Sequence, residues 1–315
     1  MKIFIKNSLI FLLIFLVSIC LTEFISSKIV SHNSNFKIQD HPKFVVLGHS
    51  HSECAFNDSI IIDLSNFSKS GESYFYIYQK AKKLFEQNPE INTAFIEFTN
   101  NSVDESMNEF TWGNKYMSQK FTLFSAFMSS EEKIVLMRKN CKSFLNAFSV
   151  SLKNRIAQIL KRKFNYIDRM GGYLHLIRNN VPENIDSSKS IPYLNNKISE
   201  FNIGYLIKII ELCRKYQIGV VLVRSPLHES YSGYQNESIF QLVLQNQLKS
   251  IEFLDFSKFP LRDTEFGDLE HLNYKGAKVF STWFQQILNQ GLLEMSNKQN
   301  FINNEIGKIK AKDKK

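Results

Sequence analysis

The chain is short of the residues that would staple or punctuate it. Its 4 cysteines, Cys20, Cys54, Cys141 and Cys213, stand far apart with no C-x-x-C pair. That excludes a zinc ribbon, a redox dithiol and the disulfide framework of a small secreted domain. Only 12 glycines and 6 prolines occur in 315 residues, too few for a collagen-like or low-complexity chain. Long apolar runs are confined to the amino terminus, which excludes a polytopic membrane protein. Charged residues make up 22% against 43% hydrophobic, so the chain is not disordered either. The formal charge of +9 is no uniform field. Lys308, Lys310, Lys312, Lys314 and Lys315 crowd the tail, and a second basic excess lies in residues 131–178, leaving the rest slightly acidic. Two local basic patches do not describe a nucleic-acid binder, and no nucleic-acid partner is expected.

What is present in quantity is phenylalanine, 28 residues, enough for a large core. Asn7–Thr22 carries no charge and as a helix spans about 24 Å, short of a bilayer core of roughly 30 Å. Snorkelling by Lys6 and Glu23, with Phe24 and Ile25 extending the apolar surface, closes the gap. An uncleaved signal-anchor over residues 1–25 and a cleaved or lipidated signal both remain open, although no small-x-small cleavage site follows the run. Lys2 and Lys6 place the amino terminus in the cytoplasm and the bulk of the chain outside it. The expectation is a single pass through the inner or cytoplasmic membrane, with the main domain on the periplasmic or extracellular side. Residues 26–42 read as a stalk.

Beyond the stalk, strand and helix signals alternate. KFVVLG (43–48), TAFIEFT (93–99), IGVVLVR (218–224) and IEFLDF (251–256) read as buried strands. Helical periodicity covers Tyr74–Glu86, Leu206–Tyr216, Ile239–Leu248 and Tyr274–Leu288. The alternation predicts an α/β domain over 43–290, a three-layer α/β/α fold with a mainly parallel sheet. Residues 102–200 break the rhythm and read as a helical insertion. Within it Ser143–Leu160 is an amphipathic basic helix with Phe144, Leu145, Phe148, Leu152, Ile156, Ile159 and Leu160 on one face, suited either to packing on the sheet or to resting on lipid or anionic polymer. Residues 291–315 read as a disordered Lys-rich tail.

Two segments carry the chemistry. In Gly48-His49-Ser50-His51-Ser52 a strand runs into Gly-x-Ser, which puts Ser50 at the rim where open α/β sheets bind ligands. In Asp268-Leu269-Glu270-His271-Leu272-Asn273, Asp at i−3 from His lets a carboxylate hold the imidazole Nδ1–H. Nε2 is then free to take a serine proton. Ser52 offers a second hydroxyl, although the Gly-x-Ser register favours Ser50. His49 and His51 could instead join His271 and Asp268 around a zinc or manganese ion. His228 stands after the IGVVLVR strand, where it can line the substrate site, and Arg224 could meet an anionic group or make a structural ion pair. Asn273 can line the site or tether the catalytic loop.

The order of these segments, nucleophile after the first exported strand and Asp-x-x-His before the last helix, resembles the SGNH/GDSL hydrolase superfamily. His49 stands where that family has Asp. The continuation His271-Leu272-Asn273-x-x-Gly276-Ala277 is similar to its membrane-anchored cell-envelope branch, which includes alginate-acetylation proteins and the D-alanyl-transfer protein of teichoic acid modification. The resemblance covers residues 43–100 and 205–290. It implies catalysis by Ser50, His271 and Asp268, with an oxyanion hole from Gly71 and from Asn100 or Asn101, although the usual Gly-x-Asn is missing. It also implies no cofactor and no metal. The implied activity is that of an esterase or O-acyltransferase on acyl, chiefly acetyl, esters of envelope polysaccharide or on a small acyl ester, with His49, His228 and Asn273 near the substrate. A non-catalytic polysaccharide-binding or assembly subunit with an eroded oxyanion hole is the alternative. The sequence leaves the oligomeric state open.

Overall fold

The structure, a computed structural model, describes residues 1–181, 183 and 197–312. Part of the expected 102–200 insertion and the end of the expected tail lie outside the described residues. In chain order the elements are α1 (Lys2–Asn33), β1 (Phe44–Leu47), α2 (Ser50–Ala55), β2 (Leu64–Asn66), α3 (Tyr74–Gln87), β3 (Thr93–Glu97), α4 (Glu109–Trp112), α5 (Asn114–Phe124), α6 (Ser130–Lys139), α7 (Cys141–Leu160), α8 (Glu200–Lys215), β4 (Gly219–Arg224), α9 (Glu237–Gln247), β5 (Glu252–Asp255), α10 (Tyr274–Asn289) and α11 (Lys298–Lys312). They form two compact units: Met1–Phe36 with Thr111–Tyr166, and Lys37–Phe110 with Ile167–Lys315.

The second unit is the expected α/β domain. Its five strands are all parallel in the order β2-β1-β3-β4-β5. Every strand read from the sequence is present, and β2 is an addition, a three-residue edge strand too short to show periodicity. Side chains alternate across the sheet as pleating requires. Val46, Phe95, Val221, Val223 and Leu254 join one core cluster with Phe280, Trp283, Phe284 and Ile287 of α10. Val45, Leu47, Ala94, Ile96 and Leu222 are equally buried and, one residue out of phase, point to the opposite face. Helices α3 and α8 pack together, with Phe75 and Tyr205 ring centroids 4.8 Å apart. The strand order reverses between β1 and β3, and the crevice at the carboxyl ends of those strands is where such sheets place ligands.

The tail does not follow the expectation of disorder. Lys298–Lys312 is helical, and Ile302 and Ile306 are buried in the same core cluster. Gln299 adds hydrogen bonds to the Asp255 backbone, accepting from its N–H at 2.8 Å. The lysines stand on a helix whose i, i+4 isoleucines bury enough surface, roughly 1.5–3 kcal/mol each, to hold it.

The first unit is helical. Helix α1 runs to Asn33, about 48 Å, and among the described residues it is the one helix long and apolar enough to cross a membrane. Its apolar stretch, of mean hydropathy 2.6, is free of protein neighbours. The expected stalk is helical in its first half, because Glu23, Ser26, Ser27 and Val30 recur at three- to four-residue spacing and dock one face of α1 on α7 and its neighbours. Phe36 follows, buried between Phe127 and Tyr166 at ring distances of 5.3 and 5.1 Å. Arg155 of α7 pairs with Glu23, and Lys133 of α6 donates to the same carboxylate at 2.5 Å.

Candidate active site

Ser50 opens α2 just past β1. The turn needs a residue without Cβ at position 48: an alanine methyl there would lie 2.3 Å from Ser52 Oγ and 2.5 Å from Glu97 Cβ. Gly48 thus serves close approach and not an unusual backbone angle. His49 is the N-cap of α2, its Nδ1 facing the His51 N–H at 3.5 Å.

Asp268 and His271 arrive on the loop before α10, and Asn273 fixes that loop. Its side-chain oxygen accepts from the N–H groups of Lys275 and Gly276, at 3.0 and 3.3 Å, capping α10. Its Nδ2 donates to the carbonyls of Thr264 and Phe266, at 2.9 and 3.0 Å. Gly276 is required because a Cβ there would meet the Glu265 carbonyl oxygen at 2.1 Å. Asn273 is buried in these contacts, so its part is to tether the loop and not to line the substrate site.

The two segments meet. Ser50 Oγ lies 2.7 Å from His271 Nε2, and His271 Nδ1–H donates to Asp268 Oδ1 at 2.8 Å. Asp268 Oδ1 also accepts the backbone N–H groups of Glu270 and His271, each at 2.9 Å, and Arg178 pairs with Oδ2. Burial by itself would raise the Asp268 pKa. The hydrogen bond and charge of His271, the Glu270 N–H and Arg178 outweigh it and hold the carboxyl well below the usual carboxylate range. Asp268 is therefore a fixed anion that selects the His271 tautomer with Nε2 open to Ser50.

Ser52, the other candidate nucleophile, is fully buried and hydrogen-bonded to Ser68 Oγ at 2.7 Å. His49 is buried too, and burial, aided by the charges of His51 and His271, pushes its pKa well below 6.5. With Nδ1 accepting, its Nε2–H donates to Thr99 Oγ1 at 3.3 Å. Thr99 in turn donates to Asn101 Oδ1. This relay holds the Asn101 amide by its oxygen. His49 therefore orients the site from beneath and does not line it.

Asn100 is not available as an oxyanion donor. Its Nδ2 donates to Glu237 at 2.7 Å and Asn236 at 3.2 Å, and its Oδ1 accepts from Arg224 at 3.1 Å. Arg224 is itself buried, pairing with Asp255 and with Glu237 at 2.8 Å and lying over the Phe240 ring at 4.7 Å, which makes it structural. Gly71 takes a left-handed φ of 66° on the loop between β2 and α3. Ser70 beside it donates its N–H to Glu53 of α2 at 2.7 Å, fastening that loop to the nucleophile helix. His228 belongs to a different cavity of about 610 Å³, with Tyr234, Lys258, Asp263, Phe266 and Lys310 in its wall and no member of the Ser50 constellation. Its ring bonds Asp263 at 3.2 Å, and its backbone N–H donates to the Leu269 carbonyl at 3.1 Å, steadying the loop of Asp268 and His271 from behind.

Sequence reasoning overlooked three residues. Glu97, at the end of β3, is wholly buried beneath Gly48 and accepts from the Ser225 hydroxyl at 3.1 Å. Burial raises its pKa, against the opposing effects of His51, Ser52 and Ser225. The signal was a glutamate inside a buried strand. Glu270 sits 3.3 Å from His51 Nε2. Burial would lower the His51 pKa, but Glu270, Glu97 and Asp268 together raise it. Arg178 comes from an irregular strap, 171–180, that bonds Ser68, Glu53, Gly267 and Tyr274 through Gly172, Leu174, Asn180 and Leu176. Nothing in its sequence marks it as distinct from the helical insertion.

A metal could be offered His51, Glu270 and His271, whose donor atoms lie within 4.8 Å of one another. His49 and Asp268, weighed from sequence, are not in that group, and ligation by His271 Nε2 would displace Ser50. A protein-family model without a functional description matches residues 168–293, a stretch that holds Arg178, Asp268 and His271 but not Ser50. No curated protein matches the chain.

Proposed function

We propose that this is a membrane-anchored serine esterase or O-acyltransferase of the SGNH/GDSL type, acting on acyl esters, chiefly acetyl, of cell-envelope polysaccharide. The observation that carries the reading is the unbroken line from Ser50 Oγ through His271 to Asp268, at 2.7 and 2.8 Å. In the reaction His271 Nε2 takes the Ser50 proton as Oγ attacks the ester carbonyl. The tetrahedral oxyanion receives the N–H groups of Ser50 and Gly71 and the Asn101 amide, each such donor supplying roughly 3 kcal/mol of transition-state stabilisation. His271 returns its proton to the departing alkoxide, leaving acyl-Ser50. Water or a sugar hydroxyl then attacks, His271 again accepting the proton, and serine is regenerated. Retention of α1 is favoured by the pairing of Glu23 with Arg155 and Lys133, which makes the helix part of the folded unit. Lys2 and Lys6 favour export of the rest.

The test is hydrolysis of a small acetyl ester, and transfer to an added oligosaccharide, by the full chain in detergent. Ser50→Ala should lose about 10⁴-fold or more and should not label with a serine-directed phosphonate. Ser52→Ala, whose hydroxyl is buried against Ser68, should keep most of the rate. No turnover and no labelling would leave a polysaccharide-binding subunit as the reading. Loss of turnover on chelation, restored by zinc or manganese, would favour the His51, Glu270 and His271 group as a metal centre.

A further inference from the structure

Burial on α7 is inverted. The side facing protein carries Ser143, Ala147, Ser151 and Arg155 beside Phe144. Leu145, Ile156 and Leu160 stand 57%, 41% and 79% exposed. Positions 145, 148, 152, 156 and 159 follow three- and four-residue spacing, so they form one continuous stripe. All five are Leu, Phe or Ile, and none is buried. Leu145 and Ile156 are exposed and Phe148, Leu152 and Ile159 half-buried, so in water the stripe forgoes part of the roughly 1.5–3 kcal/mol that full burial of each side chain would supply.

Helix α7 packs on α1 within one compact unit, and their meeting point is fixed by Arg155 and Glu23. Protein neighbours on α1 begin near that level, while residues 2–18 are exposed throughout. The stripe therefore belongs to the same unit as the long exposed apolar surface of α1. Lys142, Lys153, Lys161, Arg162 and Lys163 border it, all exposed. A second copy of the chain would bring this basic border against its like, whereas anionic headgroups complement it.

We propose that α7 is an interfacial helix, its stripe laid into the headgroup–acyl boundary of the bilayer that α1 crosses and its bordering Lys and Arg set on anionic phospholipid. The inference rests on α1 being the anchor and is independent of the chemistry at Ser50.

The experiment places single nitroxides in the full chain, in a Cys20→Ser, Cys141→Ser background, reconstituted into vesicles of phosphatidylethanolamine and phosphatidylglycerol. Sites are Leu145→Cys, Leu152→Cys and Ile156→Cys on the stripe, Asn154→Cys on the polar side and Leu13→Cys in the anchor. Accessibility to oxygen relative to an aqueous nickel chelate should be several-fold higher at the three stripe sites than at 154. Replacing phosphatidylglycerol with phosphatidylcholine should reduce that contrast. Equal chelate access at all α7 sites, with Leu13→Cys in lipid, would overturn the proposal and leave the anchor standing. Shielding of the stripe from both reagents with spin–spin broadening would overturn it in favour of a second copy. Chelate access at Leu13→Cys would overturn the proposal and the anchor together. A contrast indifferent to phosphatidylglycerol would overturn the role given to the basic border.

Discussion

The two units bury charge in opposite styles. In the α/β unit ionisable groups sit inside in numbers, and each has company. Glu72 and Lys80 pair at 2.6 Å with no exposed surface, Arg224 holds two carboxylates, and His49, His51 and Glu97 interlock beneath Ser50. Most large apolar side chains there go inward, and the exceptions, such as Ile62, Leu242 and Val279, stand on separate elements. In the helical unit one carboxylate, Glu23, answers two cations, while leucines and isoleucines of α7 face out. The lesson is that the α/β unit buries charge in company and leaves its exposed apolar side chains scattered. The other is sorted for a second solvent, and its inner polar contacts lock the anchor helix to its neighbours.

The comparison breaks first at the triad. Asp268→Asn keeps the shape of the loop but frees His271 to take the wrong tautomer. It should cost about 10⁴-fold in kcat for ester turnover, with little change in KM. A loss of only a few-fold would mean that the buried charges of the α/β unit are structural and not catalytic.

Next in size is Glu23, the acid that meets two cations in the helical unit. Glu23→Gln leaves Arg155 without its carboxylate partner and Lys133 with the charge of Glu132 alone, and should destabilise that unit by about 3–5 kcal/mol, read as faster amide exchange in α6 and α7. Arg155→Met should cost distinctly less, because Glu23 keeps Lys133 and the long apolar side chain fills the space. Equal losses for the two variants would show that packing, and not charge, joins α1 to α7.

How much of this was legible depended on distance along the chain. Asp268 and His271 are three residues apart, and Ser50 follows a strand that its own Val45-Val46-Leu47 declares, so local pattern sufficed for both segments. The Asn100 role was not legible. Only the fold brings Arg224 and Glu237 to its amide, and Asn101 next door has the better placement through Thr99. Helix α7 was found within two residues, but its apolar face stayed open between packing on the sheet and resting on lipid or anionic polymer: periodicity identifies an apolar stripe but not the solvent it meets. The tail failed for a similar reason, since five lysines outweighed Ile302 and Ile306 in composition but not in packing.

Glycine positions give a smaller, sharper comparison inside the α/β unit. Gly48→Ala forces a methyl against Glu97 and Ser52 and should cost about 1–3 kcal/mol in urea unfolding, with reduced turnover because Ser50 is displaced. Gly204→Ala, in the interior of α8 with nothing within 4 Å of the new methyl, should instead stabilise by about 0.5–1 kcal/mol. A neutral Gly48→Ala would mean that the strand-to-helix turn has more room than the structure gives it.

The smallest effect is a pH dependence of stability. His49 has its native pKa pushed below the ordinary 6.5, chiefly by burial. As pH falls below 6.5 the unfolded chain takes up a proton that the native state refuses, so the stability His49 contributes is present above that pH and is lost below it. His51 acts in the other direction. Its native pKa is raised, so its contribution is present below 6.5 and lost as pH rises through the native value. Comparing wild type with His49→Gln removes the first effect and keeps the second. The stability gap between the two should close by up to about 1.4 kcal/mol per pH unit below 6.5, until the native His49 itself titrates. A gap that stays constant from pH 7 to pH 5 would mean that His49 is charged in the native state. In that case it could not accept the His51 N–H at Nδ1, and the relay through Thr99 to Asn101 would lose its fixed direction.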